Sequence, residues 1–94
     1  EHILESLLKD NADSEEIWFR LGYLRLERGE LQGAAKAFET CLQKRNKWPE
    51  AQLNLGLAYW RLGERDAAAL AFSNVLEAEP NSMDALRGLA ALAV

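Results

Sequence analysis

A chain that copies itself after 34 residues can build only an architecture in which one small unit is laid beside the next. Here the stretch from Glu15 to Trp48 is followed at once by a second version of itself from Pro49 to Ser82. At that offset Leu21-Gly22 falls on Leu55-Gly56, and Gly29-Glu30 on Gly63-Glu64. Ala34-Ala35 falls on Ala68-Ala69, Ala37-Phe38 on Ala71-Phe72, and Leu42 on Leu76. The retained positions are mostly small and apolar while the charged ones drift, so what is kept is packing.

The period, together with Trp18, Leu21, Gly22, Ala34 and Phe38 and then Leu55, Gly56, Tyr59, Ala68, Phe72 and Pro80, resembles the tetratricopeptide repeat. The first copy departs from that pattern at Arg25, where an aromatic residue is expected, and at Asn46, where a proline is expected. The second carries Gln52 where the pattern favours tryptophan. The resemblance implies an all-α fold, a right-handed superhelical stack of antiparallel helix pairs. It is a single domain over residues 1–94, divided into a half repeat at 1–12, repeats at 15–48 and 49–82, and a half repeat at 83–94. Fold is what such a resemblance specifies; a partner has to be argued from the site.

Local signals place the helices. Ile3, Leu4, Leu7 and Leu8 share one helical face, which makes residues 1 to about 10 the second helix of an earlier unit. Asp13 and Glu16 have capping-box spacing for a helix from about Ser14 to Arg28, which Gly29 ends. Its partner runs from about Leu31 to Arg45, with Ala34, Ala37, Phe38, Cys41 and Leu42 recurring at three- and four-residue steps. Gly22 and Ala34 are small enough for the two backbones to approach closely. Pro49 suits a first helical turn, where its missing N–H costs nothing, and that helix runs to Leu62 before Gly63. Another spans about Arg65 to Ala78, and after Pro80, Asn81 and Ser82 a last one spans about Met83 to Val94.

Composition narrows the function. A net charge of −4 with scattered basic residues argues against nucleic acid, whose binding draws on clustered Lys and Arg. The trio Lys44, Arg45 and Lys47 lies near a helix C-terminus, where the helix dipole accounts for it; a basic docking site is the alternative. No apolar run has the length of a membrane span and nothing at the start has a signal-peptide pattern, which leans toward a cytoplasmic setting. Cys41 is a lone cysteine aligned with Val75, so a small buried apolar role fits it better than reactivity. There is no GxSxG, no HExxH, no phosphate-cradling glycine loop and no paired cysteine spacing, and the single histidine, His2, reads as a surface residue. An enzyme is not expected, and neither a cofactor nor a metal.

The first helix of each repeat carries more apolar surface than one interior needs. At roughly 100° per residue, Ile17, Leu21 and Leu24 gather on one side and Phe19, Tyr23 and Leu26 on nearly the opposite side. Leu55, Ala58 and Leu62 oppose Leu53, Leu57 and Trp60 in the same way. In the resembled family the first helices line a concave groove that holds ligand peptides. Carried over by position, the groove residues are Phe19, Tyr23, Leu26, Leu53, Asn54, Leu57, Trp60, Arg61 and Arg87, with Glu16, Glu50 and Asp84 beside them.

Two readings stand for that second apolar side: packing of first helix on first helix along the stack, or binding of an apolar or aromatic-bearing peptide. The carboxylate clamp that some family members use for chaperone tails falls here on Phe19, Tyr23, Asn54, Asp84 and Gly88. Only Asn54 matches, and Asp84 would repel a carboxylate, which excludes that role. The expected partner is therefore a protein or peptide. The alternative is a structural or self-assembling unit whose terminal half repeats stack on further repeats of a longer chain or on other copies, with Leu86, Leu89 and Leu92 as the uncapped face, since end repeats normally carry a polar outer side. Trp48, at the repeat junction, reads either as a hydrophobic staple for the helix at Pro49 or as an exposed contact residue.

Overall fold

The computed structural model describes residues 15–93, and all regular structure among them is helical. In chain order the helices are α1 (Glu15–Glu27), α2 (Leu31–Lys44), α3 (Pro49–Leu62), α4 (Arg65–Ala78) and α5 (Met83–Ala93). The expected half repeat at 1–12 and the capping box from Asp13 lie outside the described residues.

Identical turns close both helix pairs. Gly29 and Gly63 sit at φ 82° and 83°, the left-handed region that a residue without Cβ enters freely. In the first turn Gly29 N–H donates to the Leu26 carbonyl at 3.2 Å and Glu30 N–H to the Arg25 carbonyl at 2.8 Å. In the second, Gly63 N–H donates to the Trp60 carbonyl at 3.0 Å and Glu64 N–H to the Tyr59 carbonyl at 2.9 Å. This is the Schellman arrangement, and it folds each second helix back along its first. No glycine ends α2 or α4; Arg45 and Glu79 leave in extended conformations, at φ −144° and −134°, and pass the chain to the next pair. At the start of α5 the Ser82 hydroxyl accepts the Ala85 N–H at 3.3 Å, the cap expected of a serine.

The core runs as a strip between first and second helices. Ala34, Ala37, Phe38 and Cys41 on α2 are fully buried, as are Ala51 and Ala58 on α3 and Ala68 and Phe72 on α4. The small residues bring the helix axes together and each phenylalanine fills the space that remains. Burial of one such ring is worth about 1.5–3 kcal/mol. The tight partner of Gly22 is Phe38 rather than Ala34: a Cβ on Gly22 would lie 3.0 Å from that ring. The reason is the back-tilt of side chains along a helix, which sends the Phe38 ring onto the neighbouring turn. In the second repeat Phe72 is gripped from two sides, with Gly56 and Gly88 each turning a bare backbone toward it. α5 is fastened in turn by Arg65, whose guanidinium donates to the Leu92 carbonyl.

Successive repeats are joined by α3 lying across α2, where the Tyr59 hydroxyl donates to the Glu39 carboxylate. Phe19 meets Phe38 edge-on, with ring centroids 5.6 Å apart, and stacks on Trp48 at 4.8 Å with 18° between the planes. Trp48 is the N-cap residue of α3, not the residue before it that a staple requires, and its ring contacts are Phe19 and Arg45. The Arg45 guanidinium lies 4.9 Å from the Trp48 ring centroid, so the basic trio has one member engaged with an aromatic face.

Candidate functional site

The second apolar side of the first helices divides along its length. Beside α1 it is largely closed. Phe19 is half-buried against Phe38 and Trp48, and Leu26 is only 6% exposed, packed with Ala51, Leu55 and Ala58 of α3. Leu26, expected in the groove, is therefore a core residue here: α3 crosses the end of α1 and covers the face that a wheel drawn on α1 alone leaves open. Tyr23 remains 48% exposed.

Beside α3 the same side is open. Leu53, Leu57 and Trp60 form one wall and Asp84, Arg87, Gly88 and Ala91 of α5 the other, around a cleft of about 480 Å³. Four of the expected residues, Leu53, Leu57, Trp60 and Arg87, are thus brought together, with Asp84 beside them. Leu53 and Leu57 also rest on the cluster of Phe72, Val75 and Ala85, so they serve the stack with one edge and the cleft with the other. Trp60 is 45% exposed. Asn54 and Arg61 are not among the lining residues. Asn54 donates its side-chain amide to the Glu50 carbonyl at 2.9 Å, on its own helix.

Gly88 and Ala91 are cleft residues missing from the expected groove set. The signal was available, since the repeat offset puts Gly88 under Asn54 and Ala91 under Leu57. Apart from Asp84 and Arg87, the side chains that line this cleft are apolar. A comparable one, about 510 Å³, lies between the Asn46–Pro49 junction and α4, lined by Asn46, Lys47, Gln52, Asn74 and Glu77 together with Trp48. Its walls mix polar side chains with Trp48, Pro49 and Ala78. At the apolar cleft, Asp84 and Arg87 supply one carboxylate and one guanidinium.

Among the described residues no group of three His, Cys, Asp or Glu is placed to hold a metal ion, and no helix is long and apolar enough to cross a membrane. Cys41 is buried and donates its thiol to the Glu15 carbonyl at 3.3 Å. Burial, with the Glu15 charge adding to it, pushes that thiol up to about 12, so it stays protonated.

The stacking face expected at the chain's end is smaller than the sequence suggested. Leu89 and Leu92 are half-buried against the cluster of Phe72, Val75 and Ala85, because α5 rolls them onto α4. Leu86 and Met83 stay exposed, at 44% and 61%.

Residues 25–93 match the family described as Tetratricopeptide repeat. No curated protein sequence matches the chain. Among solved structures, a crystal structure of MamA superposes with a TM-score of 0.91 at 24% identity, covering 95% of this chain and 52% of that one. A second, of MamA protein, gives a TM-score of 0.90 at 24% identity, covering 95% of this chain and 49% of the other. The likeness is one of fold, and the chain spans about half the length of these structures.

Proposed function

The chain belongs to the tetratricopeptide repeat family, a protein-interaction scaffold in general, and from that premise we propose that it holds a peptide or helix of a partner protein on its concave side. Residues 15–48 and 49–82 are the two repeats that present that side, and α5 adds its third wall. The observation that carries this reading is the cleft between α3 and α5. It is an apolar hollow walled by Leu53, Leu57 and Trp60, with the charged side chains of Asp84 and Arg87 beside them, of the kind that takes an apolar side chain.

The test uses the exposed residues, because Phe19 is packed into the stack and its removal would disturb the fold. A Tyr23→Ala, Trp60→Ala double variant should keep its helical circular dichroism and its melting temperature. It should also lose the proteins that the unaltered chain retains from a lysate, as read by mass spectrometry. Retention of the same proteins by the folded variant would refute the concave-side reading.

Exposure of Met83 and Leu86 supports a second reading, in which copies associate through α5. Sedimentation at high concentration should then show species larger than one chain that Leu86→Glu abolishes. A monomer throughout would exclude it.

A further inference from the structure

We infer that the side of α1 bearing Trp18, Leu21 and Arg25 is the seat of the chain's own residues 1–10, which dock there as a helix through Leu4, Leu7 and Leu8 and are held by an ion pair from Glu5 to Arg25.

The seat follows from a contact that the structure shows one repeat later. There α2 lies across α3, with Leu42 packed on the cluster that holds Ala51, Leu55 and Ala58. Leu42 and Leu55 line one hollow between the two helices, and the Tyr59 hydroxyl donates to the Glu39 carboxylate. Moved back by 34 residues, the α3 side of this contact becomes α1: Ala51 falls on Ile17, Leu55 on Leu21, Ala58 on Leu24 and Tyr59 on Arg25. The α2 side falls on residues 1–10, with Phe38 on Leu4, Glu39 on Glu5, Cys41 on Leu7 and Leu42 on Leu8. Every apolar position stays apolar, and the carboxylate stays a carboxylate. In a stacked repeat each unit is covered by its neighbour, so a face conserved on both sides of a contact marks that contact again.

The one exchange of chemistry accounts for Arg25, where the first repeat departs from the aromatic residue of its pattern. A phenol that donates to Glu39 in the second repeat is replaced by a guanidinium opposite Glu5, which turns a neutral donor into a charge-assisted one. The arginine stem is given its place by Gly33, where a Cβ would lie 3.1 Å from the Arg25 Cδ; the next repeat has Ala67 there. Beside it Trp18, Leu21 and Arg25 of α1, with Lys36, Thr40 and Gln43 of α2, line a hollow of about 530 Å³. Glu39 also borders that hollow, but its carboxylate accepts from Tyr59. Two cations thus meet a segment that carries Glu1, Glu5 and Asp10 against the single Lys9. The connection fits the same chain: Asn11–Ser14 corresponds to the Arg45–Trp48 junction that joins α2 to α3. Occupied in this way, this side of α1 is closed to a partner, which is left the side on which Tyr23 is 48% exposed.

The experiment is nuclear Overhauser spectroscopy on the 94-residue chain, with a double-mutant cycle on Glu5 and Arg25. Cross-peaks should join the Leu8 methyls to those of Leu21 and the Leu7 methyls to Ile17. In a mixture of labelled and unlabelled chains, isotope-filtered spectra should show none of these between copies. Glu5→Gln should lower the folding equilibrium constant about two- to fivefold in urea denaturation, and should leave it nearly unchanged in a chain that already carries Arg25→Gln. Absence of the Leu8–Leu21 cross-peak overturns the docking, and its appearance only between copies assigns the seat to a second chain and overturns the inference as stated. An equal loss from Glu5→Gln in both backgrounds overturns the ion pair.

Discussion

The ring of Phe72 lies 2.7 Å from where a Cβ on Gly56 would stand, closer than two carbon atoms can rest. Phe38 and Gly22 repeat the relationship at 3.0 Å. Because both rings are fully buried, they have no room to retreat. Gly56→Ala should therefore destabilise the chain by about 1–2 kcal/mol even after the gain in helix propensity, and Gly22→Ala by less. Urea denaturation of the two variants checks the order. A more stable Gly56→Ala would show that the rings are not fixed where they are drawn.

Ala34 and Ala68 carry no exposed surface and occupy equivalent places in the two helix pairs. Substitution of either by leucine should cost about 1–3 kcal/mol through overpacking. The two effects should be similar because the surroundings repeat. Thermal melts would show it, and an unchanged midpoint in both variants would refute the close packing.

Tyr59 is predicted to ionise late. Burial first, then the hydrogen bond to the Glu39 carboxylate and the negative charges of Glu39 and Glu64, hold its phenol well above the usual tyrosine range. A folded-state pKa raised above the unfolded value favours the neutral phenol. The stability it contributes is therefore complete below about pH 10 and is lost as pH climbs from there toward the folded value. Ultraviolet titration should show a late phenolate component coupled to unfolding that is missing in Tyr59→Phe. That variant should lose about 1 kcal/mol at neutral pH.

Cys41 should resist alkylation at neutral pH in the folded chain and react once the chain is unfolded in urea, since its thiol is buried and pushed up to about 12. Raised in this way, it stabilises fully below the unfolded thiol value near 9 and progressively less above it. Cys41→Val, which copies Val75 of the next repeat, should change stability by less than about 1.5 kcal/mol. Fast labelling of the native chain would place the sulfur at the surface.

The helix pairs were legible because their determinants are local. Gly29 and Gly63 end helices through their own backbone freedom, and the spacing of Ala34, Ala37, Phe38 and Cys41 marks a buried face wherever the neighbours lie. The groove was legible only in part. Leu53, Leu57, Trp60 and Arg87 do meet at one cleft, whereas Leu26 is buried and Phe19 is held between Phe38 and Trp48. A helical wheel gives the direction of a side chain from its own axis and says nothing of which neighbour covers that direction.

By itself the sequence determined the helices and their pairing, because those choices depend on residues close together in the chain and are written twice. Only the tertiary structure decided which stretch of the second apolar side of the first helices is closed and which is open. That outcome depends on volumes summed across α3 and α5, where Leu53 and Leu57 face Gly88 and Ala91 from more than thirty residues away. No single position in the chain records such a sum.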